Sequence, residues 1–478
     1  MTMEMPPHLE KLLKRDEQLS EVEAEAIYAQ GKEAVVFSLL ALTAHIAALR
    51  KASKPSASTP SGMTAPNEKP SRKGNGKKRP GRKQGHDGAR RPSAPKIDRT
   101  VEHPLTHCPH CGTPLGDPCE IRTRIVEDIP KDIQPVITEH HILRSYCSSC
   151  KKIVESPVED ALPGSTIGNH LLALTAWLHY GLGNTLHQIV SVLSAHLHFE
   201  LTAGGLVQMW HRLADILLGW YEEIGRQARA GAVLHADETG WRVDGKTCWL
   251  WCFTNGSLTY YMIDRCRGSP ALKKFLTESF AGTLITDFWG AYNRIKSACR
   301  QVCLVHLFRE LKDIENRKDT SGDWPEFVKK LKRLLRDALR LAARKQELDG
   351  EKFISLKNHV DPRLEEILLT PWSNGNARRL IKRLRRHRHD LFTFLDHDDV
   401  PSDNNHAERE VRPAVIIRKN IFGNRSMRGA QTQAILMSVY RTLKLRGLDS
   451  IQTIVHAVAS YIRSGQLPPL PEKSASVG

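Results

Sequence analysis

The sequence predicts a mixed α/β chain with several structural units, because three features of its 478 residues point that way. From about residue 231 the pattern is three strands followed by alternating helices and strands. A cysteine-rich segment precedes this core, and leucine- and alanine-rich helical patterns occur near the N-terminus and between 312 and 400. With 40% hydrophobic residues the chain can bury more than one core, so roughly two to four domains are expected.

Composition favours a soluble protein with a polyanionic partner. Lys and Arg number 70 against 53 Asp and Glu, a formal net charge of +17, which suits nucleic acid first and an acidic membrane surface second. The most apolar early stretch, "VVFSLLALTAHIAAL" at 35–49, is too short to span a bilayer, and no signal-peptide pattern begins the chain. We therefore expect a cytoplasmic protein without a membrane partner.

The first hundred residues divide into a helical segment, 1–50, and a basic arm, 51–98. The leucine spacing of the first predicts one or two helices, with little support for a coiled coil. The arm holds thirteen basic and three acidic residues, a net +10, and is too polar to bury a core. A solubilising linker is one interpretation, but contacts with DNA phosphates are favoured. The cations assigned to DNA are Lys77, Lys78, Arg79, Arg82, Lys83, Arg90 and Arg91.

Residues 99–155 predict a small zinc-ribbon-like module. Cys108 and Cys111 lie in "CPHCG", and Cys147 and Cys150 in "CSSC", with short β-like runs such as "IVEDIP" and "VITEHHILRSY" between them. Two such pairs can complete one tetrahedral, structural Zn²⁺ site. Four unconnected buried or redox thiols are the alternative. Nearby histidines rank below the thiols as ligands, and Cys119 carries no assignment; the histidines are His107, His110, His140 and His141.

Residues 156–230 predict helices, with Thr202 as an N-cap. Short helices with polar breaks suit a DNA-binding region of helix-turn-helix type and an ordinary helical spacer about equally well.

The core region, 231–455, contains two acids that the predicted strand order brings together. Three antiparallel strands, the first holding Asp237, are followed by the helix "PALKKFL", the strand "GTLITDFWGAY" with Asp287, a further helix and the strand "RQVCLVH". This is the order of a ribonuclease-H-like fold, in which the first and fourth strands end side by side. Two adjacent carboxylates favour a bound cation, and Mg²⁺ prefers oxygen ligands. Taken alone, "DE" would suit a turn or a surface ion pair; strand alternation selects Asp237 over Glu238.

A third acid is expected from a later helix, and Glu408 in "SDNNHAEREVRP" supplies it. Asp403 and Glu410 compete for this role, and a surface ion pair with Arg412 is the alternative. Cations around one acid suit a site where metal-bound carboxylates meet a phosphate backbone. The cations assigned here to DNA are Arg409, Arg412, Arg418 and Lys419.

The stretch between Asp287 and Glu408 exceeds what the fold needs, so a helical insertion is predicted at about 312–400, and a C-terminal tail at 456–478. One predicted insertion helix carries seven cations before the first acid, which favours DNA backbone contacts over a solvated face. These are Arg378, Arg379, Lys382, Arg383, Arg385, Arg386 and Arg388.

Four long motifs resemble the core of insertion-sequence-66 family transposases. They are "HADETGWRVDGKTCWLWCF", "GTLITDFWGAYN", "QVCLVHLFREL" and "DNNHAEREVRPAVIIRKNIFGNRSMRGA". "RPGRKQGHDGARR" and the paired C-x-x-C resemble that family's basic arm and zinc module, so the similarity spans roughly residues 77 to 455. Carried over by position, the catalytic acids are Asp237, Asp287 and Glu408. The N-terminus departs from the family, because it lacks leucine-zipper heptads.

The resemblance implies a DDE-type DNA transposase. Two Mg²⁺ (or Mn²⁺) ions held by the acids would activate water and stabilise the leaving 3′ oxygen, and the freed 3′-hydroxyl would attack target DNA. Its partners would be terminal inverted repeats, target DNA, further copies of itself in a homo-oligomer and other element-encoded proteins, in the bacterial nucleoid. Cys303 and His306 match a C-x-x-H pair of related transposases, interpreted as structural or simply buried. An inactive DNA-binding regulator and a nuclease for RNA–DNA hybrids remain as alternatives.

Overall fold

A computed structural model describes residues 96–130, 132–316 and 320–472, with five isolated positions between 25 and 35. The predicted N-terminal helices and nearly all of the basic arm lie outside the described residues. None of the described helices is long and apolar enough to cross a membrane.

Within the described residues, seven strands form two sheets. They are β1 (Arg144–Cys147), β2 (Lys152–Glu155), β3 (Val233–Val243), β4 (Lys246–Thr254), β5 (Thr259–Asp264), β6 (Ser279–Thr286) and β7 (Lys296–Val302). The first two form a hairpin, and the other five form one mixed sheet in the order β5-β4-β3-β6-β7. β3, β4 and β5 are antiparallel, whereas β6 runs parallel to β3 and β7 parallel to β6. This arrangement is consistent with the predicted ribonuclease-H-like core.

Thirteen α-helices are described. They are α1 (Asn169–Ala176), α2 (Leu186–Leu197), α3 (Ala203–Ile216), α4 (Leu218–Ala230), α5 (Ser269–Leu276), α6 (Leu304–Asn316), α7 (Trp324–Ala343), α8 (Gly350–Lys357), α9 (Val360–Leu369), α10 (Gly375–Arg386), α11 (Asn405–Ile421), α12 (Met427–Leu445) and α13 (Ser450–Ser464). Thr202 caps α3 as expected, because its hydroxyl accepts a hydrogen bond from the Gly205 amide.

The hairpin between β3 and β4 shows how local sequence sets the core. Val243 pairs with Lys246, which leaves the two residues Asp244 and Gly245 as the turn. Both have positive φ, +52° and +69°. A two-residue turn with positive φ at both positions matches the right-handed twist of the flanking strands, and Asp-Gly is a preferred pair for it. The turn therefore fixes the register that positions Asp237.

Two hydrophobic clusters support the site. The first joins the sheet to α1–α4, α11, α12 and α13, and includes the buried side chains of Trp210, Trp241 and Tyr440. The second is formed mainly by α6–α10, which connect β7 to α11, and one apolar face of α7 supplies much of it. Its members Ile285 and Val302 belong to β6 and β7, so the second cluster rests directly on the sheet.

Three local predictions differ from the structure in the core. The strand predicted through "RQVCLVH" ends at Val302, and Leu304 begins α6. The helix expected after Asp287 is a five-residue 3-10 turn, Gly290–Arg294. The predicted tail boundary at 455/456 falls within α13, which runs from Ser450 to Ser464. Ile454, Ala457 and Val458 of this helix are buried.

A fourth difference concerns the cysteine segment. Apart from position 131, which is not described, residues 121–143 contain no strand. The side chains expected to pair on a sheet are exposed, Val126 by 72% and both Val136 and Ile137 by 91%. Isolated strands are not stable in water without a covering layer, which explains why only the short β1–β2 hairpin forms.

Candidate active site

Two predicted acids lie side by side where β6 ends next to the middle of β3. β3 pairs in parallel with β6, with His235 opposite Ile285. Asp237 and Asp287 each lie two residues beyond this pair, so the parallel register brings them to adjacent positions. The Asp287 carboxylate accepts a hydrogen bond of 2.8 Å from the Trp289 amide, which orients it at the end of β6.

Asp237 occupies an environment that disfavours its charge. Burial raises its pKa to about 8, and the carboxylates of Glu238, Asp287 and Glu408 add to the shift. The hydrogen bond from the Glu238 amide, 2.9 Å, offsets only part of it. A bound cation would offset the repulsion between this carboxylate and its acidic neighbours. Carboxylate oxygens are suitable ligands for Mg²⁺. The donor set at Asp237 and Asp287 therefore fits a hard divalent cation.

Glu408 enters from the first turn of α11. Asn404, just before this helix, accepts a hydrogen bond at Oδ1 from His235 Nδ1 (3.0 Å) and donates from Nδ2 to the Ala236 carbonyl (2.8 Å). His406 is held at the carbonyl of Asn255, 2.6 Å away. These contacts dock α11 on β3, next to Asp237.

The Glu408 carboxylate has an arginine and a histidine neighbour that the sequence did not predict. Arg309 of α6 donates two hydrogen bonds of 3.1 Å, one to each oxygen. His306 Nε2 lies 3.7 Å from the same carboxylate. The ion pair with Arg412, the alternative role for Glu408, is absent among the contacts of the described residues, and Arg412 is exposed. Glu408 is thus a paired acid, although its charge still reaches Asp237.

Glu238 is distinguished from Asp237 by its partners. Its buried side chain accepts hydrogen bonds from Arg267 Nε (3.1 Å) and the Tyr292 hydroxyl (2.9 Å). Burial raises the pKa of Glu238, the Asp287 charge adds to the shift, and these two donors oppose it. Both adjacent acids therefore feel the charge of Asp287, and Asp237 also feels the charge of Glu408.

The two competitors for the third acid are separated by their contacts. Glu410 is buried and accepts two hydrogen bonds of 2.8 Å from Arg441, a structural ion pair on the far side of α11. Asp403 accepts from the Asn405 amide at 2.9 Å. Burial raises the pKa of Asp403, and the Glu408 carboxylate contributes to the increase. Glu408 remains the acid coupled to Asp237.

A family model described as the IS66 family of transposases matches residues 164–432, more than half of the chain. The chain belongs to the IS66 transposase family. The matched range contains the whole five-stranded sheet together with Asp237, Asp287 and Glu408.

A curated relative of this family member is the uncharacterized protein y4qI of Sinorhizobium fredii (strain NBRC 101917 / NGR234). It is 27% identical over 285 residues, which are 54% of this chain and 50% of the relative. The chain thus spans about half the length of that relative, and because the relative is itself uncharacterized, the similarity adds no activity.

The four predicted zinc ligands lie as two separate pairs. In the first, the Gly112 amide donates to the Cys108 carbonyl (2.9 Å), and Cys111 Sγ lies 3.3 Å from the Thr113 hydroxyl. In the second, the Cys150 amide donates to Cys147 Sγ (3.4 Å). Within the described residues, the four sulfurs do not form one group with ligand atoms within 4.8 Å of one another. The tetrahedral site therefore stays a prediction.

The predicted DNA-contacting cations of the IS66 protein fall into two groups. Arg409, Arg412 and Lys419 are exposed on α11, whereas Arg418 donates to Thr239 Oγ1 (3.1 Å) and the Gly240 carbonyl, and therefore packs against β3. On α10, several cations have acidic partners within the protein. Arg379 and Arg383 pair with Glu310, and Arg388, which lies just beyond α10, is 3.7 Å from Glu365.

Sequence reasoning missed three positioning residues. Asn404 and His406 dock α11, and Arg309 holds Glu408. The first two share the "DNNHAER" motif with Glu408. The run of polar residues in this motif was the available signal, and the structure shows that Asn404 within it is buried. Arg309 lies 99 positions from its partner, and no local pattern marks it.

Proposed function

We propose that this IS66-family protein is a DNA transposase that cuts and joins strands at the ends of an insertion sequence, with Asp237, Asp287 and Glu408 as catalytic acids. The observation that carries the proposal is the half-buried Asp237 carboxylate, which lies beside the end of β6, next to Asp287, and feels the charges of both other acids. Membership of the family supports this assignment.

The three acids would hold two Mg²⁺ or Mn²⁺ ions. The chemistry that bound metal would supply is activation of the attacking water and stabilisation of the leaving 3′ oxygen. The chain contributes position: parallel strands present Asp237 and Asp287, and Asn404 fixes α11 and hence Glu408 against β3. A site built on strands and a docked helix holds its ligands more tightly than one built on loops.

The reaction would proceed by two exchanges at phosphorus. Water first replaces the 3′ oxygen at each element end, which leaves a free 3′-hydroxyl. That hydroxyl then forms a new ester bond with a target phosphate while the target's own bond breaks. No protein atom joins the phosphate in either step, so a serine or tyrosine nucleophile is not required.

Contacts with DNA would come from two surfaces. Exposed cations on α11, Arg409, Arg412 and Lys419, lie on the helix that carries Glu408 and suit phosphate oxygens. The basic arm would add sequence-independent affinity through counterion release, so deleting residues 51–98 should weaken binding to all DNA and flatten its salt dependence. A loss limited to one DNA sequence would indicate base recognition instead.

The cysteine segment would serve as a structural zinc module. In the second pair the Cys150 amide donates to Cys147 Sγ. Hydrogen bonds lower the pKa of Cys111, first from Thr113, and the pKa of Cys147, first from the Cys150 amide. Thiolates are the form that binds Zn²⁺. We therefore propose that the cysteine segment binds one structural Zn²⁺.

The test uses duplex DNA taken from both flanks of the gene, with Mg²⁺ and full-length protein. Asp237→Asn, Asp287→Asn and Glu408→Gln should each lower strand cleavage by at least about 10³-fold, because a lost ligand removes transition-state stabilisation. Binding of the same DNA should persist, since the phosphate-contacting cations are unchanged.

Asp244→Asn is the matched control, because Asp244 lies in the exposed β3–β4 turn. This variant should cleave DNA at the parental rate. Undiminished cleavage by Asp237→Asn would refute the assignment. Parental protein that binds these DNA ends without cleaving them would support the inactive regulator instead.

A further inference from the structure

Cys303 and His306, which the proposed reaction does not use, form a compact group with the proposed catalytic acid Glu408. Cys303 follows β7, His306 lies in the first turn of α6, and Glu408 lies in the first turn of α11. Their potential ligand atoms all lie within 4.8 Å of one another. In the described part of the chain this is the single group of at least three His, Cys, Asp or Glu residues that meets this distance.

The backbone fixes this group from two sides. The Cys303 amide donates to the Thr286 carbonyl (2.8 Å), and the Leu304 amide donates to the Ser402 carbonyl (3.0 Å). These bonds tie the start of α6 to the end of β6 and to the segment before α11. The separation of the ligand atoms is therefore set by the sheet and its connections, and not by flexible surface side chains.

The sulfur of Cys303 has two backbone N–H groups directed at it, although burial raises the pKa of this thiol overall. The side chain is fully buried, and its Sγ accepts a hydrogen bond from the Asn404 amide at 3.2 Å. The His306 amide also points at it. Backbone N–H groups directed at sulfur stabilise negative charge there, as outer-shell partners of a metal ligand do. A buried thiol in a purely apolar core would not need such donors.

The imidazole of His306 leaves a nitrogen available. Its Nδ1 is buried and has no hydrogen-bond partner among the described residues. Its Nε2 faces Glu408 at 3.7 Å, a distance too long for a hydrogen bond. Neither ring nitrogen therefore has a hydrogen-bond partner among the described residues, so a nitrogen lone pair of the neutral ring is available to a metal ion.

Glu408 would retain its contact with Arg309 when it acts as a ligand. The guanidinium donates one hydrogen bond to each carboxylate oxygen, and each oxygen keeps a further lone pair. Carboxylate ligands are commonly hydrogen-bonded on their outer side. Arg309 would thus orient Glu408 rather than block it.

We propose that Cys303, His306 and Glu408 form a binding site for a thiophilic divalent cation, Zn²⁺, with three protein ligands and one open position. Sulfur, nitrogen and oxygen together are the donors that zinc accepts, whereas Mg²⁺ takes oxygen ligands. This site is distinct from the four-cysteine module. It shares Glu408 with the proposed active site, but its occupancy needs neither DNA nor strand cleavage.

The experiment measures metal content of the full chain without DNA. Parent and variants are saturated with Zn²⁺, freed of unbound ion and analysed by mass spectrometry. Cys303→Ser and His306→Ala should each carry one ion fewer per chain than the parent. Cys248→Ser, a change at an equally buried thiol of β4 outside the group, should carry the parental number.

Two further measurements separate ligation from structural effects. His306→Cys supplies a different ligand at the same position, so it should regain the ion that His306→Ala loses. With Co²⁺ in place of Zn²⁺, the parent should show more thiolate-to-metal charge-transfer absorption than Cys303→Ser. Excess Mg²⁺ should not displace the bound zinc, because a thiolate ligand prefers the softer ion.

Equal zinc content in the parent, Cys303→Ser and His306→Ala would overturn the site. So would displacement of the ion by Mg²⁺. If Cys303→Ser fails to fold, the comparison of His306→Ala with His306→Cys decides, and an ion lost in both overturns the proposal. Cleavage defects of Asp237→Asn are measured separately, so failure of this site and failure of the proposed transposase are distinguishable.

Discussion

The five-stranded core and the cysteine segment, 99–155, differ in the burial of their apolar side chains. In the core Trp241, Leu250 and Trp251 are buried to within 1% of full coverage, whereas Val136 and Ile137 of the cysteine segment are 91% exposed. Burial of such side chains is the main favourable term in folding. The core is therefore held by its own interior, and the cysteine segment requires another source of stability, for which its four thiols are the available chemistry.

The same difference decides where charge can be placed. A rigid, well-covered sheet can hold Asp237 in surroundings that raise its pKa to about 8. Such a cost is tolerated only where surrounding packing supplies a surplus of stability, as functional sites commonly require. The cysteine segment has no comparable interior, so its function is expected to be structural.

The largest expected effect is the response of the two regions to loss of zinc. Stripping the protein with a strong chelator, or replacing Cys108 or Cys150 with Ser, should release the structural ion and abolish protection of 100–155 against amide exchange. A metal site that stabilises a small module contributes to its folding directly. Protection of the core strands should change little, because their interior contains no module residue.

Amide hydrogen exchange with mass analysis reports both regions in one experiment. Cys119→Ser serves as control, since this exposed cysteine lies outside the predicted ligand set. Retained zinc together with retained protection of 100–155 in both cysteine variants would show that the module does not depend on metal.

A medium effect is expected from adding one methyl group to a glycine in each region. Gly423 has φ +130°, and an added Cβ would lie 2.2 Å from the Arg242 carbonyl oxygen. The loop that contains it is bonded to β3, because the Asn424 amide donates to that carbonyl at 2.9 Å. Gly423→Ala should therefore destabilise the core by about 2 to 4 kcal/mol.

The corresponding change in the cysteine segment is Gly112→Ala. Gly112 also has positive φ, +75°, but nothing lies within 4 Å of an added Cβ. The core should melt at its parental temperature in this variant. Thermal unfolding followed by near-ultraviolet circular dichroism measures the melting temperatures of Gly423→Ala and Gly112→Ala. A core that tolerates Gly423→Ala would show that the loop after α11 can separate from β3.

These contrasts indicate what the sequence could reveal. The strand order and the positions of Asp237 and Asp287 were predictable, because alternating apolar residues and the Asp-Gly turn act over short distances. The strands predicted around Val126 and Val136 are absent from the described residues, because local composition alone does not form a sheet. Their composition suits strands, but nothing in the described chain covers them.

The contacts of Glu408 were not predictable from local pattern. Its distance in sequence from Arg309 is 99 residues, and the Asn404 contacts reach 168 and 169 residues back to β3. The Arg309 contact depends on the position of α6, which packs in the second hydrophobic cluster, whereas the Asn404 contacts depend on the docking of α11 on β3. Sequence periodicity reports which face of a helix is buried, and not which helix it will meet.

The smallest expected effect compares single carboxylates. In protein free of divalent cations, Asp237→Asn should raise the free energy of unfolding at pH 8 by about 1 to 2 kcal/mol, since it removes a charge that burial and three acids disfavour. Glu238→Gln should raise it less, because Arg267 and Tyr292 oppose the same shift there. Asp128→Asn, in the exposed cysteine segment, should change stability by less than about 0.5 kcal/mol.

The sign of the pH dependence follows from the direction of the shift at Asp237. Its pKa in the folded protein, about 8, lies above the ordinary value of 3.8, so the folded state binds the proton more tightly. The parent therefore loses stability as pH rises from about 4 to about 8, and the loss levels off above that. Asp237→Asn lacks this loss, and its advantage should grow across the same window. Denaturant unfolding at several pH values measures the difference, and an advantage independent of pH would place the Asp237 carboxylate in water instead of in the buried acid cluster.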